Sequence, residues 1–210
     1  MPVKASVHVL LFAVAIGAVC SVLLVGTTQF TAPYREANAR AEEVLNLLGA
    51  LGAPLDERPK PATLLETFDR DVKERKLGGI VFYEYVPQGA ARPVSVAVPL
   101  AGMGLWGPVK GVLALEPDLS TIREVRFYQQ EETPGLGGEI GSERFQKQFS
   151  RKRIVSDDGK PGFRILKPGG ATDSNSVDGI TGATMTSARV GKMLDDASKA
   201  IHEQRASYGQ

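Results

Sequence analysis

The residues with most chemistry to offer lie near the C-terminus, in Asp178-Gly179-Ile180-Thr181-Gly182-Ala183-Thr184-Met185-Thr186-Ser187. Three threonines and a serine stand there among small residues. Just beyond, Val190, Met193, Leu194, Ala197 and Ile201 recur at the spacing of one helical face. This predicts a helix over about residues 186–203. The hydroxyls therefore fall at its N-cap and first turn, where Ser and Thr commonly accept a backbone N–H. A helix N-terminus also presents unpaired N–H groups and the positive end of the helix dipole, and both favour a phosphate. A hydroxyl of Thr184, Thr186 or Ser187 is thus either a cap or a group offered to an anionic ligand. The residues alone leave both uses open.

Two glycine-rich stretches upstream have similar double readings. Gly102-Met103-Gly104-Leu105-Trp106-Gly107 holds the only tryptophan of the chain. Its glycines permit tight turns and close approach. Trp106 either stacks on a planar ring or plugs the edge of a sheet. Glu131-Glu132-Thr133-Pro134-Gly135-Leu136-Gly137-Gly138 combines a Pro-Gly turn with positions suited to positive φ. It reads as a β-to-α connection, with or without a ligand.

The elements that must position these stretches follow from pattern. Residues 7–25 are nearly all apolar, and with their neighbours reach the length that spans a bilayer at about 1.5 Å per residue. Lys4 precedes this run and no charge follows until Arg35, which places the N-terminus in the cytoplasm. The run exceeds the core of a signal peptide, about 7–15 residues, and lacks a convincing small-x-small cleavage site. An uncleaved anchor over residues 1–32 is expected, ended by Thr31-Ala-Pro33, with one domain over residues 33–210. Helical spacing recurs over 34–51 and again over 64–76. From Gly79 the texture changes to short β-branched and aromatic runs: 80–86, 93–98, 109–115 and 122–128. These predict an antiparallel sheet. Ser142 can cap a short helix through Phe149, and 162–166 is a further strand. The fold class expected is α+β: one N-terminal transmembrane helix, then an antiparallel-sheet domain with flanking helices.

Composition narrows the chemistry. Among 210 residues, 25 Lys and Arg against 24 Asp and Glu give a net charge of +1, so nothing in the charge balance argues for nucleic acid. The single cysteine, Cys20, rules out an internal disulfide or a Cys-only metal centre within the chain. His8 and His202 leave little for metal ligation or for a Ser-His-Asp arrangement. No Gly-x-Gly-x-x-Gly follows a strand, and no Gly-Lys-Ser/Thr phosphate loop occurs. No catalytic acid, base or metal site is expected. A redox role would need an organic cofactor or a partner's metal.

In this order, and downstream of one anchor, the three stretches resemble the FMN-binding domain family, over roughly residues 79–204. In that family the last threonine of Thr-Gly-Ala-Thr carries FMN through a phosphoester bond, and the matching residue is Thr184. Asp178, Thr181, Gly182, Ala183 and Thr186 belong to the same motif. The resemblance implies attachment by a separate flavin transferase, which fits a hydroxyl with no activating base of its own. It further implies that Thr133 bonds the polar edge of the flavin and that Leu136 packs on its ring. Glu132 would orient their loop. Trp106 would stack nearby, and Lys167 would stand near the flavin phosphate. Physically, a lysine there offsets the charge a phosphodiester keeps.

The motif forms are most similar to the C-subunit family of Na⁺-translocating NADH:quinone reductases. The G-subunit family of Rnf-type ferredoxin:NAD oxidoreductase complexes is also similar and closer in length. Either implies an electron-carrying subunit of an ion-translocating oxidoreductase of the cell inner membrane. Its main domain would be periplasmic and its neighbours would be other membrane subunits. NADH oxidation and ubiquinone reduction would belong to the assembly. A membrane-tethered assembly or sensing module without redox activity is the alternative of another class, since a fold does not fix a function.

Overall fold

The computed structural model describes residues 3–208, and the chain divides into two compact units, Met1–Glu42 and Glu43–Gln210. The first unit is the greater part of helix α1, Val3–Leu51. Its side chains from Val7 to Val25 are exposed and nearly all apolar, so the helix is made for a nonpolar surrounding. By length and composition it can cross a membrane once.

The expected break at Pro33 is absent, because α1 runs through it. A proline inside a helix removes one main-chain bond and crowds the carbonyl four residues back. The carbonyl left without its N–H is that of Gln29, and the side-chain bonds of the neighbouring turns go to other carbonyls. Thr27, Thr28 and Thr31 donate their hydroxyls to the carbonyls of Leu23, Leu24 and Thr27 at 2.8, 2.8 and 2.9 Å. The Arg35 guanidinium reaches the Thr28 carbonyl at 3.3 Å. The helix expected over 34–51 is thus the last part of a longer one.

The second unit is a five-stranded antiparallel meander with helices on both faces. Its strands are β1 (Val72–Leu77), β2 (Ile80–Tyr85), β3 (Ser95–Met103), β4 (Pro108–Leu115) and β5 (Ile122–Gln129), in that spatial order. One face meets the C-terminal end of α1 and helix α2, Pro61–Asp71. Val44, Leu47, Leu48 and Leu51 pack there with Leu64, Phe68, Tyr85 and Val112. Gly52, at φ +79°, ends α1, and the Ala53 N–H returns to the Leu48 carbonyl at 3.0 Å. This is the glycine-terminated helix end in which a left-handed residue lets the chain turn back.

The other sheet face meets helix α4, Thr184–Tyr208, through Val190, Leu194 and Ile201, all buried. Short helical pieces complete this layer: a 3₁₀ turn over Gly137–Gly141, helix α3 over Glu143–Gln146 and a second 3₁₀ turn over Lys147–Phe149. The Ser142 hydroxyl accepts the Phe145 N–H at 3.3 Å, as its capping position suggests. Phe149 stacks on Phe163 with ring centroids 5.4 Å apart.

Two elements differ from expectation. The helix expected over 64–76 stops at Asp71, and Val72–Leu77 is strand β1. Gly78 and Gly79, at φ +54° and +83°, make a two-residue hairpin that hands the chain to β2. Short strand β6 (Arg164–Leu166) was expected. Its parallel partner β7 (Ser176–Asp178) was not, and it delivers the chain directly to the hydroxyl-rich stretch.

Candidate functional site

The turn from β7 into α4 is built from small residues for a geometric reason. The Gly179 N–H donates to the Leu166 carbonyl at 2.7 Å, which extends the β6–β7 pairing. The Ala183 N–H closes a turn onto the Ile180 carbonyl at 3.1 Å, with Gly182 at φ +79°. A Cβ at Gly182 would also stand 3.0 Å from Leu136. The first helical bond of α4 is Ser187 N–H to the Ala183 carbonyl, so the N–H groups of residues 184–186 precede the ladder.

The three hydroxyls are put to different uses. Ser187 Oγ accepts the Ile180 N–H at 3.1 Å and fixes the turn. Buried Thr186 donates its hydroxyl to the Glu132 carboxylate at 2.5 Å. Thr184 is exposed, and among the described residues its hydroxyl makes no hydrogen bond. Neither neighbour accepts an N–H of the first turn of α4, and Thr184 Oγ1 stands free there.

Glu132 joins the two glycine-rich stretches to the hydroxyl-rich one. Its Oε1 accepts the backbone N–H groups of Leu105 and Trp106 at 2.6 and 3.0 Å, while its Oε2 takes the Thr186 hydroxyl. The Gln130 side chain accepts the Glu132 N–H at 2.5 Å. Arg189, one turn along α4, donates to the Gly104 carbonyl at 2.8 Å. The loop at Trp106 is closed by the Gly104 N–H on the Gly107 carbonyl, also at 2.8 Å. Glycines are required where this carboxylate passes. A Cβ at Gly104 would strike Glu132 Oε1, and one at Gly137 would lie 2.5 Å from Oε2 and 2.6 Å from the Thr186 hydroxyl.

Burial alone would push the Glu132 carboxyl upward. The hydrogen bonds from Thr186, Trp106 and Leu105, with the Arg189 charge, outweigh that and hold it below the usual glutamate range. It is an anion at neutral pH, buried but fully engaged.

This network frames a groove of about 340 Å³, within the range of about 300–1,000 Å³ common for small-molecule sites. Trp106, Leu136 and Met185 present apolar walls, and Thr133 and Thr184 give the polar rim. Trp106 is 71% exposed, so its indole plugs no sheet edge. Of the residues singled out in the sequence, Trp106, Glu132, Thr133, Leu136, Gly182, Ala183, Thr184 and Thr186 come together here.

Three do not line this groove. Asp178 and Thr181 face a cavity of about 480 Å³ beside Arg144 and Gln148. The Asp178 carboxyl accepts the Ala171 N–H at 2.9 Å. That bond, with those from Gly169 and Gly170, holds its pKa below the usual range against burial. Gln148 clamps the Asp178 backbone from the other side, at 3.0 and 3.2 Å. Asp178 thus shapes the 167–171 loop. Lys167 lies exposed on that loop, outside the lining of both cavities. Sequence reasoning missed Arg189, Met185, Gln130 and Gln148. Only Arg189 had a readable signal, a cation one turn from the hydroxyls.

The model of the family described as FMN-binding domain matches residues 104–199, which contain the hydroxyl stretch and both of the loops that meet it. The C subunit of the Na⁺-translocating NADH-quinone reductase of Pasteurella multocida is 32% identical over 131 residues, 62% of this chain and 50% of that protein. Its counterpart in Neisseria meningitidis is 39% identical over 95 residues, 45% of this chain and 37% of that protein. The matched part therefore spans at most about half the length of these relatives. Among solved structures, the corresponding protein of Parabacteroides distasonis aligns with TM-score 0.67 and 24% identity, over 82% of this chain and 94% of that one. NqrC of Shewanella oneidensis aligns with TM-score 0.65 and 21% identity, over 80% and 99%. At such identities these two speak for the fold alone. Residues 104–199 match the FMN-binding domain, and the chain resembles the C subunit of the Na⁺-translocating NADH-quinone reductase.

Proposed function

We propose that this chain is a membrane-anchored electron carrier whose FMN is joined by a phosphoester to Thr184. In this reading it serves a Na⁺-translocating NADH:quinone reductase as one of its subunits. The observation that carries the reading is the free, exposed hydroxyl of Thr184 where the α4 N-terminus opens onto an apolar groove. The relatives named above favour the C-subunit reading over the Rnf-type G-subunit one.

The residues present fit the group. An ester at Thr184 would set the phosphate before the N–H groups of residues 184–186, at the positive end of α4. Trp106, Leu136 and Met185 would shield a planar ring from water, and Thr133 stands at the rim to bond its polar edge. Glu132, Thr186 and Arg189 would hold the Trp106 loop in place against that ring. Bound there, FMN would supply reversible electron transfer, and the chain would set its position and surroundings. Among this chain's residues the reading requires no catalytic acid or base.

A flavin transferase is needed because no described residue activates the Thr184 hydroxyl. The anchor would place residues 1–6 in the cytoplasm and residues 43–210 in the periplasm. The test is in-gel flavin fluorescence after denaturation, with the chain co-produced with an active transferase. Fluorescence is expected in the wild type and absent in Thr184→Ala. A dark wild-type band in the presence of active enzyme contradicts the reading.

A further inference from the structure

β3 is paired on both sides only over its first residues. β2 meets it at Ser95, Val96 and Ala97, whereas β4 follows it from Val96 to Met103. Among the described residues no strand lies along the other edge of residues 98–103. β2 is likewise unpaired on that side over residues 80–82. The two strands part, and a wedge opens between them. Pro99 stands where pairing ends; it has no N–H to donate, and such residues belong at strand edges.

Helix α4 floors the wedge. Two adjoining cavities of about 540 and 270 Å³ share Pro99, Ala197 and Ala200, whose small side chains leave the room. The larger one reaches Met103 and Arg189, next to the groove at Trp106. Met103 is 63% exposed there. Main-chain groups along a free edge are satisfied by another strand, and apolar walls select its side chains.

We propose that an extended, apolar segment of a partner subunit adds to this edge of β3 as a further strand. The inference rests on the reading of the chain as an electron carrier within an assembly. A strand bound here would end beside Gly104 and so bring the partner next to the flavin groove. Charge favours a different protein over a second copy. Arg189 and Lys192 line the larger cavity; Asp196 is the acidic residue of that lining, held by Lys192 at 2.8 Å, while Arg189 donates to the Gly104 carbonyl and faces Glu132 beyond it. Two copies would set these cations against their counterparts. The fitting segment carries a carboxylate at the Met103 end.

The test is hydrogen exchange on the full chain in detergent, alone and within the assembly recovered through a tag on this chain. The edge-facing amides among Val98 and residues 100–103 are expected to exchange at least about tenfold more slowly in the assembly. Equal rates overturn the proposal, and so does a chain recovered without partner subunits. Protection that grows with concentration of the isolated chain assigns the edge to a second copy and also overturns it. Ala101→Asp supplies the second arm. Ala101 is exposed and lies opposite Lys110 of β4, so the substitution is expected to leave the fold intact. It is expected to lower recovery in the assembly at least about tenfold, with the flavin mass at Thr184 unchanged. Normal recovery contradicts the proposal. Absence of flavin from the wild type would instead count against the cofactor reading, while the exchange result still judges the edge.

Discussion

Glu132 is the residue on which the site turns. Replacing it by Ala leaves the N–H groups of Leu105 and Trp106 and the Thr186 hydroxyl without their acceptor. A loss of about 2–4 kcal/mol in unfolding free energy is expected, measured by urea denaturation of the full chain in detergent. Gly137→Ala should cost a comparable amount, since its Cβ would press on the same carboxylate and hydroxyl. The pH dependence has a definite sign. The folded-state pKa of Glu132 is depressed, so its contribution is present above the unfolded glutamate pKa. That contribution is lost as pH falls through the lower, folded value. Stability should therefore drop on acidification below the ordinary glutamate range, less steeply in Glu132→Gln. Equal slopes would remove Glu132 as the source. The role of Glu132 as an acceptor for a distant loop and for the first turn of α4 was not legible in the sequence, where it stands as one of two adjacent glutamates. Its partners lie 26, 27 and 54 residues away. Periodicity brought the hydroxyls of Thr184, Thr186 and Ser187 to the start of α4, and only the resemblance to the FMN-binding domain family singled out Thr184 among them.

At the scale of elements, periodicity found what is half-buried and missed what is held by partners. Val190, Leu194 and Ile201 mark the face of α4 that packs on the sheet, and β2 to β5 follow from their β-branched and aromatic residues. β1 reads Val-Lys-Glu-Arg-Lys-Leu, a composition at home on a helix surface. Only its pairing with β2 and the Gly78-Gly79 turn make it a strand, and at a sheet edge such charges protect against further pairing. β7 has three residues, too few to show a period. Pro33 suggested a boundary, yet the last turns of α1 belong to the sheet domain. Leu48 is fully buried among sheet and α2 residues. Leu48→Ala should cost about 2–5 kcal/mol in thermal or urea unfolding. A chain starting at residue 43 should melt cooperatively, whereas one starting at residue 53 should not. Equal cooperativity in the two would show that α1 contributes nothing to this core.

For the whole molecule, the arrangement combines a helix fit for a bilayer with a domain in which the free, groove-facing hydroxyl of Thr184 lies at a helix N-terminus. Carbonate washing of membranes should leave the full chain in the pellet, and removal of residues 1–32 should release the remainder. The central claim is the bond at Thr184. Its most direct test is intact mass of the membrane-extracted chain from cells with an active flavin transferase, followed by peptide mapping across residues 165–205. An added FMN-phosphoryl mass is expected on the peptide containing Thr184, lost in Thr184→Ala. An unmodified mass, or the same addition on another residue, would contradict it.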